Sequence, residues 1–160
     1  MKQEFFYQNH KTSIQLEDCL KGCHSFEEFE KKVSDEFLNE DTRVGDYLSD
    51  LLDQYDKSAA GVSNAALLNP SYVGLIINGK KNNPSRDALI SICLAMGATF
   101  EEVQRLLKYA GYAPLYVRRK RDVIIWFGFM KGHNVQTVNI DLYNKGLKLL
   151  TRYKEKSDRQ

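Results

Sequence analysis

Polar and basic side chains suited to hydrogen bonding are concentrated between residues 69 and 82. Seven of them flank one short apolar segment: Asn69, Ser71, Tyr72, Asn78, Lys80, Lys81 and Asn82. Their amide, hydroxyl and ammonium groups can donate hydrogen bonds to polar or anionic partners.

A second cluster of reactive groups, Cys19-x-x-x-Cys23-His24, lies near the start of the chain. Its spacing is at the edge of that of known zinc sites, and a complete site would need His10 and His133 as well. A cysteine and a histidine that are adjacent in sequence seldom point at each other, which disfavours a nucleophile with its base. We predict ordinary, partly buried thiols, with no metal and no cofactor.

The sequence contains no phosphate-cradling glycine loop, zinc-protease helix or nucleophile elbow. Its acidic residues fall at helix caps and on polar helix faces, where solubility and compensation of the helix dipole explain them. We therefore predict that the protein is not an enzyme.

The length and composition are those of one soluble domain, or of one domain with an attached arm. The chain has 160 residues, of which 42% are hydrophobic and 28% charged. Its longest strongly apolar run covers only residues 123–130, whereas a membrane-spanning helix needs about 20 residues. Three cysteines and a start without a signal-peptide pattern predict a cytoplasmic protein with no membrane contact.

The net charge of +2 conceals two parts of opposite sign. Residues 1–56 hold six basic and fourteen acidic residues, a balance of −8, and residues 57–160 hold seventeen and seven, a balance of +10. A basic part of this size suits contact with phosphates, because the release of counterions favours binding to nucleic acid. The alternative is that the acidic part folds over the basic part and neutralises it.

The elements that must position these side chains are helical. Residues 1–24 show no apolar period and are predicted to form an irregular arm. Ser25 and Glu28 have the capping-box spacing, which predicts an amphipathic helix from there to about Asn39. A second helix, capped by Asp41 or Thr42, should run through residue 55. Its apolar stripe is Val44, Leu48, Leu51, Leu52 and Tyr55.

An internal duplication covers residues 84–111 and 119–146, at an offset of 35 residues. Seven of the 28 aligned positions are identical, and among them Arg86-Asp87 recurs as Arg121-Asp122. Each copy is predicted to be a helical hairpin, because each reads as helix, glycine, cap and helix, and ends on a second glycine. The caps and the glycines are Thr99, Asn134, Gly97, Gly111, Gly132 and Gly146. For the paired Arg-Asp residues we favour a structural role.

The first helix of the second copy is apolar nearly all round, because Trp126, Phe129 and Met130 replace smaller residues of the first copy. Such a helix either lies within the core or exposes a patch that another chain covers. These three residues are our candidate dimer interface, and burial in the core is the alternative.

The stretch from Lys57 to Asn83 fits the spacing of a helix-turn-helix. Ser63 is the small residue that lets the second helix approach closely. With Asn69 as N-cap and Pro70 in the first position, the second helix should cover residues 70–78 and end before Gly79. The turn position, where positive φ favours glycine, is occupied by Leu67.

These residues resemble the lambda-repressor-like (XRE) regulators of bacteria and their phages, over about residues 25–146. Ser71-x-Val73-Gly74-x-x-x-Asn78-Gly79 looks like the recognition helix and the loop after it, and Asn83-Pro84-Ser85-Arg86-Asp87 looks like the start of the fourth helix. The stretch from Leu106 to Tyr116, with Arg119-x-Arg121-Asp122, is similar to an extended branch that has an acidic N-terminal helix and a C-terminal helical pair.

The resemblance implies an all-α protein that regulates transcription by binding an operator in double-stranded DNA, usually as a homodimer. It implies a five-helix DNA-binding core at 42–112, preceded by an acidic arm and helix at 1–41. A C-terminal helical hairpin at 113–150 and a polar tail at 151–160 would follow.

Carried over to this chain, the resemblance places Asn69, Ser71, Tyr72 and Asn78 near base edges. Lys80, Lys81 and Asn82 would lie near phosphates. Because the recognition helix lacks Arg, Lys and Gln, we expect modest specificity and strongly salt-dependent affinity. The alternative is a degenerate helix-turn-helix that binds a protein instead of DNA, as an adaptor or antitoxin-like partner docked through the acidic N-terminal helix.

Overall fold

The computed structural model describes residues 13–33 and 44–152, and every regular element within those residues is an α-helix. The protein is therefore all-α, as predicted. The chain divides into two compact units, residues 1–41 and residues 42–160. The helices are α1 (Ser13–Lys21), α2 (Phe26–Lys32), α3 (Val44–Tyr55), α4 (Ala59–Ala65), α5 (Tyr72–Ile77), α6 (Arg86–Met96), α7 (Phe100–Tyr109), α8 (Lys120–Lys131) and α9 (Val135–Asn144). Across the described ranges no helix combines the length and the apolar character that spanning a membrane requires.

In the first unit, the prediction of an irregular arm over residues 1–24 is wrong for residues 13–21, which form α1. This segment lacks a clear apolar period but is rich in residues with good helix propensity, such as Gln15, Leu16 and Glu17. Residues 1–12 lie outside the described part of the chain, so the arm prediction is not tested there.

The predicted cap of α2 is present in a modified form. The Ser25 hydroxyl accepts the Glu28 N–H at 3.1 Å, but the Glu28 carboxylate accepts the backbone N–H of His24 instead of that of Ser25. The helix ends at Lys32, because Val33 is extended. The predicted continuation to Asn39 therefore breaks at Val33, and residues 34–43 lie outside the described residues.

The second unit has one hydrophobic core, to which all seven helices α3–α9 contribute. The predicted stripe of α3 faces this core, with Leu48, Leu51 and Leu52 buried. The same core continues into the second hairpin, where Ile125 and Leu142 are fully buried. The segments 42–112 and 113–150 therefore form one packed body.

The duplicated hairpins α6–α7 and α8–α9 share their local structure. Thr99 and Asn134 cap α7 and α9, as predicted, by accepting the N–H of Glu102 and of Thr137. The four predicted glycines, Gly97, Gly111, Gly132 and Gly146, all have positive φ. The two hairpins also match after their second helices, up to residues 115 and 150. The Gln104 side chain accepts the Leu115 N–H at 2.7 Å, and the equivalent Asn139 accepts the Leu150 N–H at 2.8 Å.

The repeated Arg-Asp pairs join the two hairpins reciprocally. Arg86 of α6 holds Asp122 of α8, and Arg121 of α8 holds Asp87 of α6. Each guanidinium also donates to two carbonyl groups that follow the second helix of its own hairpin. These carbonyls belong to Ala113 and Pro114 for Arg86, and to Lys148 and Leu149 for Arg121. The contact has the exchange of partners that characterises an isologous interface, here within one chain.

Helix α8 is not buried on every side. Its Gly128 lies against α9, because a Cβ there would stand 2.5 Å from the Val138 side chain. Trp126 stacks on Phe100 of α7 at a centroid separation of 3.9 Å, and Phe129 is half-buried against the core. The part of its surface that faces solvent carries Met130, which is 63% exposed, and Phe127, which is 52% exposed.

Candidate nucleic-acid interface

Helices α4 and α5 meet through Ser63, the small residue that the sequence placed at this contact. The side chain is fully buried, and its hydroxyl donates to the Ala59 carbonyl at 2.8 Å within α4. The same oxygen accepts the backbone N–H of Val73 at 3.0 Å. Ser63 therefore satisfies a buried amide in the first turn of α5 and fixes the position of that helix against α4.

The turn between these helices contains Leu67, which follows the C-cap residue Ala66 and has the left-handed conformation at φ +60°. The Leu68 N–H donates to the Ser63 carbonyl, five residues earlier, which is the longer hydrogen bond of a Schellman motif. The position thus has the backbone conformation that favours glycine, but it carries a leucine. Leu67 and Leu68 are both half-buried and pack against the core, which accounts for a large side chain there.

The start of α5 carries three of the predicted contact residues close together. Helix α5 spans Tyr72–Ile77 instead of the predicted 70–78, because Tyr72 N–H bonds to the Asn69 carbonyl and closes a tight turn first. The Asn69 side-chain oxygen accepts both the backbone N–H and the hydroxyl of Ser71, at 3.0 and 2.8 Å. Asn69 and Ser71 are exposed. The N-cap of α5 is Ser71, so the prediction of Asn69 as N-cap is wrong. Asn69 instead stabilises the turn before the helix, and its amide Nδ2 donates to none of the described residues.

The loop after α5 holds the remaining predicted residues. Gly79 has φ +78°, and the Asn78 side chain accepts the Lys80 N–H at 3.0 Å, so the Asn78 oxygen stabilises the turn. Lys80 and Asn82 are exposed. The Lys81 ammonium lies 4.7 Å from the centre of the Tyr72 ring. This cation–π contact connects the basic loop to the start of α5, so the two groups of predicted residues form one surface.

Glycine at position 45 positions α5 from its other side. A Cβ at Gly45 would stand 2.6 Å from the Ile76 carbonyl oxygen, so α3 and α5 approach each other at backbone distance. The neighbouring Asp46 lines a groove of about 450 Å³ together with Lys81 and Asn82, and its carboxylate partly offsets the positive charge of Lys81. Sequence reasoning missed this contact, although a glycine within the first turn of an amphipathic helix is a signal of close approach.

Arg152 is the second residue that sequence reasoning missed. It is exposed and lies on a cleft whose lining also includes Asn69, Pro70 and Tyr72. The sequence assigned residues 151–160 to a polar tail. Thr151, however, is buried and bonded to Asn139, so the ordered hairpin extends at least to residue 152; residues 153–160 lie outside the described residues.

The three residues of the candidate dimer interface occupy different environments. Trp126 stacks on Phe100, Phe129 is half-buried against the core, and Met130 projects into solvent. Met130 therefore offers most of the apolar surface that the set leaves exposed, with Phe127 one helical turn before it.

The cysteine cluster has the geometry of ordinary thiols. The Cys23 thiol donates to the Cys19 carbonyl at 3.0 Å, and both side chains are half-buried. Desolvation raises the pKa of the Cys23 thiol, which opposes formation of the nucleophilic thiolate. Within residues 13–33 and 44–152, no three His, Cys, Asp or Glu side chains come together as metal ligands.

Comparisons with protein-family models, with curated proteins and with solved structures find no match for this chain.

Proposed function

We propose that the protein is a sequence-specific, double-stranded-DNA-binding transcriptional regulator of the lambda-repressor-like (XRE) type. In this proposal α4 and α5 are a helix-turn-helix within the five-helix core α3–α7, and α5 enters the major groove. The observation that carries the proposal is the contact between Tyr72 and Lys81, which joins the exposed polar start of α5 to a basic loop. A surface with hydrogen-bond donors beside ammonium groups matches the combination of base edges and phosphates in a duplex.

Most of the affinity in this proposal comes from phosphate contacts. The exposed groups at the start of α5 are an amide, hydroxyls and an aromatic ring, and none of them is an arginine that could bind guanine through two hydrogen bonds. Specificity is accordingly modest. Affinity falls steeply with salt, by about 0.9 logarithmic units per phosphate contact for each tenfold rise in salt.

The proposal includes a homodimer that presents two α5 helices about one DNA turn apart. The supporting feature is the exposed side of α8, where Phe127 and Met130 lie three residues apart on the same face and are both more than half exposed. Apolar residues at this spacing suit a symmetric contact with the same face of a second copy.

The decisive experiment measures binding to a labelled duplex from the promoter upstream of the protein's own gene. We expect the wild type to bind at low salt, and Lys80→Ala/Lys81→Ala to bind more weakly with a salt dependence reduced by up to about two phosphate contacts. Lys131→Ala is the control, because it removes an exposed lysine at the C-terminal end of α8. Unchanged binding by the double variant would contradict the assignment of phosphate contacts to this loop.

A second candidate function is that of a protein-binding adaptor, and the first unit supports it. Helix α2 carries two exposed residues at its start, Phe26 and Glu27, beside the half-buried Glu28, and Phe26 is 64% exposed. An apolar ring beside carboxylates suits a partner with a basic rim. Failure of the full-length protein to bind any promoter duplex at low salt would favour this function over DNA binding.

A further inference from the structure

We propose that the second hairpin takes part in DNA binding through Arg152, which contacts a backbone phosphate beside the start of α5. This inference rests on the proposed function and extends its binding surface beyond the helix-turn-helix. The duplicated hairpin would then contribute to the affinity for DNA in addition to its place in the fold.

The site is a cleft of about 620 Å³ between the start of α5 and the end of the second hairpin. One wall is formed by Asn69, Pro70 and Tyr72, and the other by residues 150–152. Because the first wall holds residues that are proposed to approach the duplex, a DNA molecule in that position would pass over the cleft. Arg152 would then lie beside the sugar-phosphate backbone.

The polar groups of the cleft suit an anion. Arg152 is exposed, and it pairs with no carboxylate in the described part of the chain. The Asn69 amide Nδ2 has no acceptor there, and no Asp or Glu lines the cleft. The Ser85 hydroxyl, which also lines the cleft, already accepts the Ala88 N–H as the cap of α6. The unpaired groups are thus donors, and a phosphate oxygen is the complementary acceptor.

The backbone that carries Arg152 is held firmly. Asn139 accepts the Leu150 N–H at 2.8 Å and donates to the Thr151 hydroxyl at 3.2 Å. Leu150 and Thr151 are buried, and Arg121 donates to the carbonyl of the preceding Leu149. Because this segment is already ordered, contact with phosphate immobilises only the arginine side chain, which limits the entropic cost of binding.

Comparison of the two hairpins shows which residues near Arg152 belong to the repeated framework and which do not. Leu150 and its bond to Asn139 repeat Leu115 and its bond to Gln104, so this part belongs to the duplicated framework. At the position that corresponds to Arg152, the first copy has Val117. The hairpin therefore forms without an arginine at this position, and the guanidinium is available for an intermolecular contact.

The test compares Arg152→Gln with the wild type, using fluorescence anisotropy of the same labelled promoter duplex between about 50 and 200 mM salt. We expect severalfold weaker binding and a slope of log K against log salt that is shallower by about 0.9, the loss of one phosphate contact. Arg152→Lys should retain the wild-type slope, and Lys131→Gln should leave slope and affinity unchanged.

Wild-type slope and affinity in Arg152→Gln, with weaker binding in Lys80→Ala/Lys81→Ala, would overturn this inference and leave the proposed function standing. Absence of binding by the wild type would overturn both. A parallel measurement of the melting temperature with added inorganic phosphate tests the other source of the anion. If phosphate stabilises the wild type but not Arg152→Gln while both bind DNA with equal slopes, the cleft takes a free anion and the assignment to DNA is wrong.

Discussion

Arg121 holds Asp87 through two parallel hydrogen bonds, at 2.8 and 3.0 Å, across 34 residues of sequence. The equivalent pair, Arg86 and Asp122, closes the same contact from the other side at 3.2 and 3.3 Å. Asp122 also accepts the Tyr116 N–H, and its side chain is only 4% exposed. This reciprocal contact ties the second hairpin to the first and so fixes the place of residues 148–152.

Removal of the Asp122 carboxylate should destabilise the fold strongly. Asp122→Ala removes the counterion of the Arg86 guanidinium and leaves the Tyr116 amide without its acceptor, and we expect a loss of about 2 to 4 kcal/mol in the free energy of unfolding. Chemical denaturation measures it. Asp141→Ala is the matched control, because that carboxylate is 47% exposed, and it should cost no more than about 0.5 kcal/mol. Equal losses in the two variants would argue against the structural role of the pair.

The Ser63 hydroxyl should contribute more to stability than that of Ser91. Both serines are fully buried and donate to the carbonyl four residues earlier, but only Ser63 accepts an N–H from another helix. Ser63→Ala leaves the Val73 N–H buried without an acceptor, and we expect a loss of about 1 to 3 kcal/mol. Ser91→Ala should cost less than about 1 kcal/mol. Denaturant titrations of both variants check the difference, and a larger loss for Ser91→Ala would contradict the proposed fixation of α5.

Glycine should be tolerated better at position 67 than at position 68. Both leucines are half-buried, but only Leu67 has positive φ. Leu67→Gly loses side-chain packing but relieves about 1 to 2 kcal/mol of backbone strain. Leu68→Gly loses side-chain packing without relieving any strain. Thermal denaturation should therefore give the smaller loss of stability for Leu67→Gly. The opposite order would show that the packing of the Leu67 side chain outweighs the strain.

Two tyrosines of α3 should lose their phenolic protons at a higher pH than tyrosine usually does. Burial raises the pKa of Tyr47 to about 12, and burial together with the hydrogen bond to Glu102 raises the pKa of Tyr55 to about 12. Because the pKa of both phenols in the folded state exceeds the usual value of about 10, the folded protein favours their protonated form, and this preference stabilises the fold. The stabilisation is complete below pH 10 and is lost as the pH rises towards 12.

Phenolate absorbance measured against pH checks this expectation. Tyr47→Phe/Tyr55→Phe should remove the late component of the titration. A wild-type titration in which all nine tyrosines ionise together near pH 10 would contradict it.

Charge on the exposed side of α8 should prevent self-association if this side is the dimer interface. Met130→Lys places an ammonium where Met130 is 63% exposed, so folding should be unaffected while a symmetric apolar contact is lost. Light scattering at tens of micromolar should report a dimer for the wild type and a monomer for the variant. Ala60→Lys, at an exposed site on α4, is the control that should remain dimeric. A monomeric wild type would remove the dimer from the proposed function.

The sequence by itself determined the features that depend on neighbours a few residues apart. The caps at Thr99 and Asn134, the glycines at the ends of the repeated helices and the small buried Ser63 could all be predicted, because capping and positive φ are local preferences. Local reasoning failed at α1, whose apolar period is weak, and at Val33, where α2 ends early.

Only the tertiary structure decided which residues meet across the chain. The repeat marked Arg86, Asp87, Arg121 and Asp122 as paired, but their exchange of partners follows from the packing of one hairpin on the other. Likewise, the sequence pattern assigned Arg152 to a polar tail. In the structure it lines the cleft beside α5, because hydrogen bonds from Arg121 and to Asn139 fix Leu149 and Leu150, which precede it. Such contacts depend on how whole helices pack against each other, and the spacing of residues along the sequence does not determine this packing.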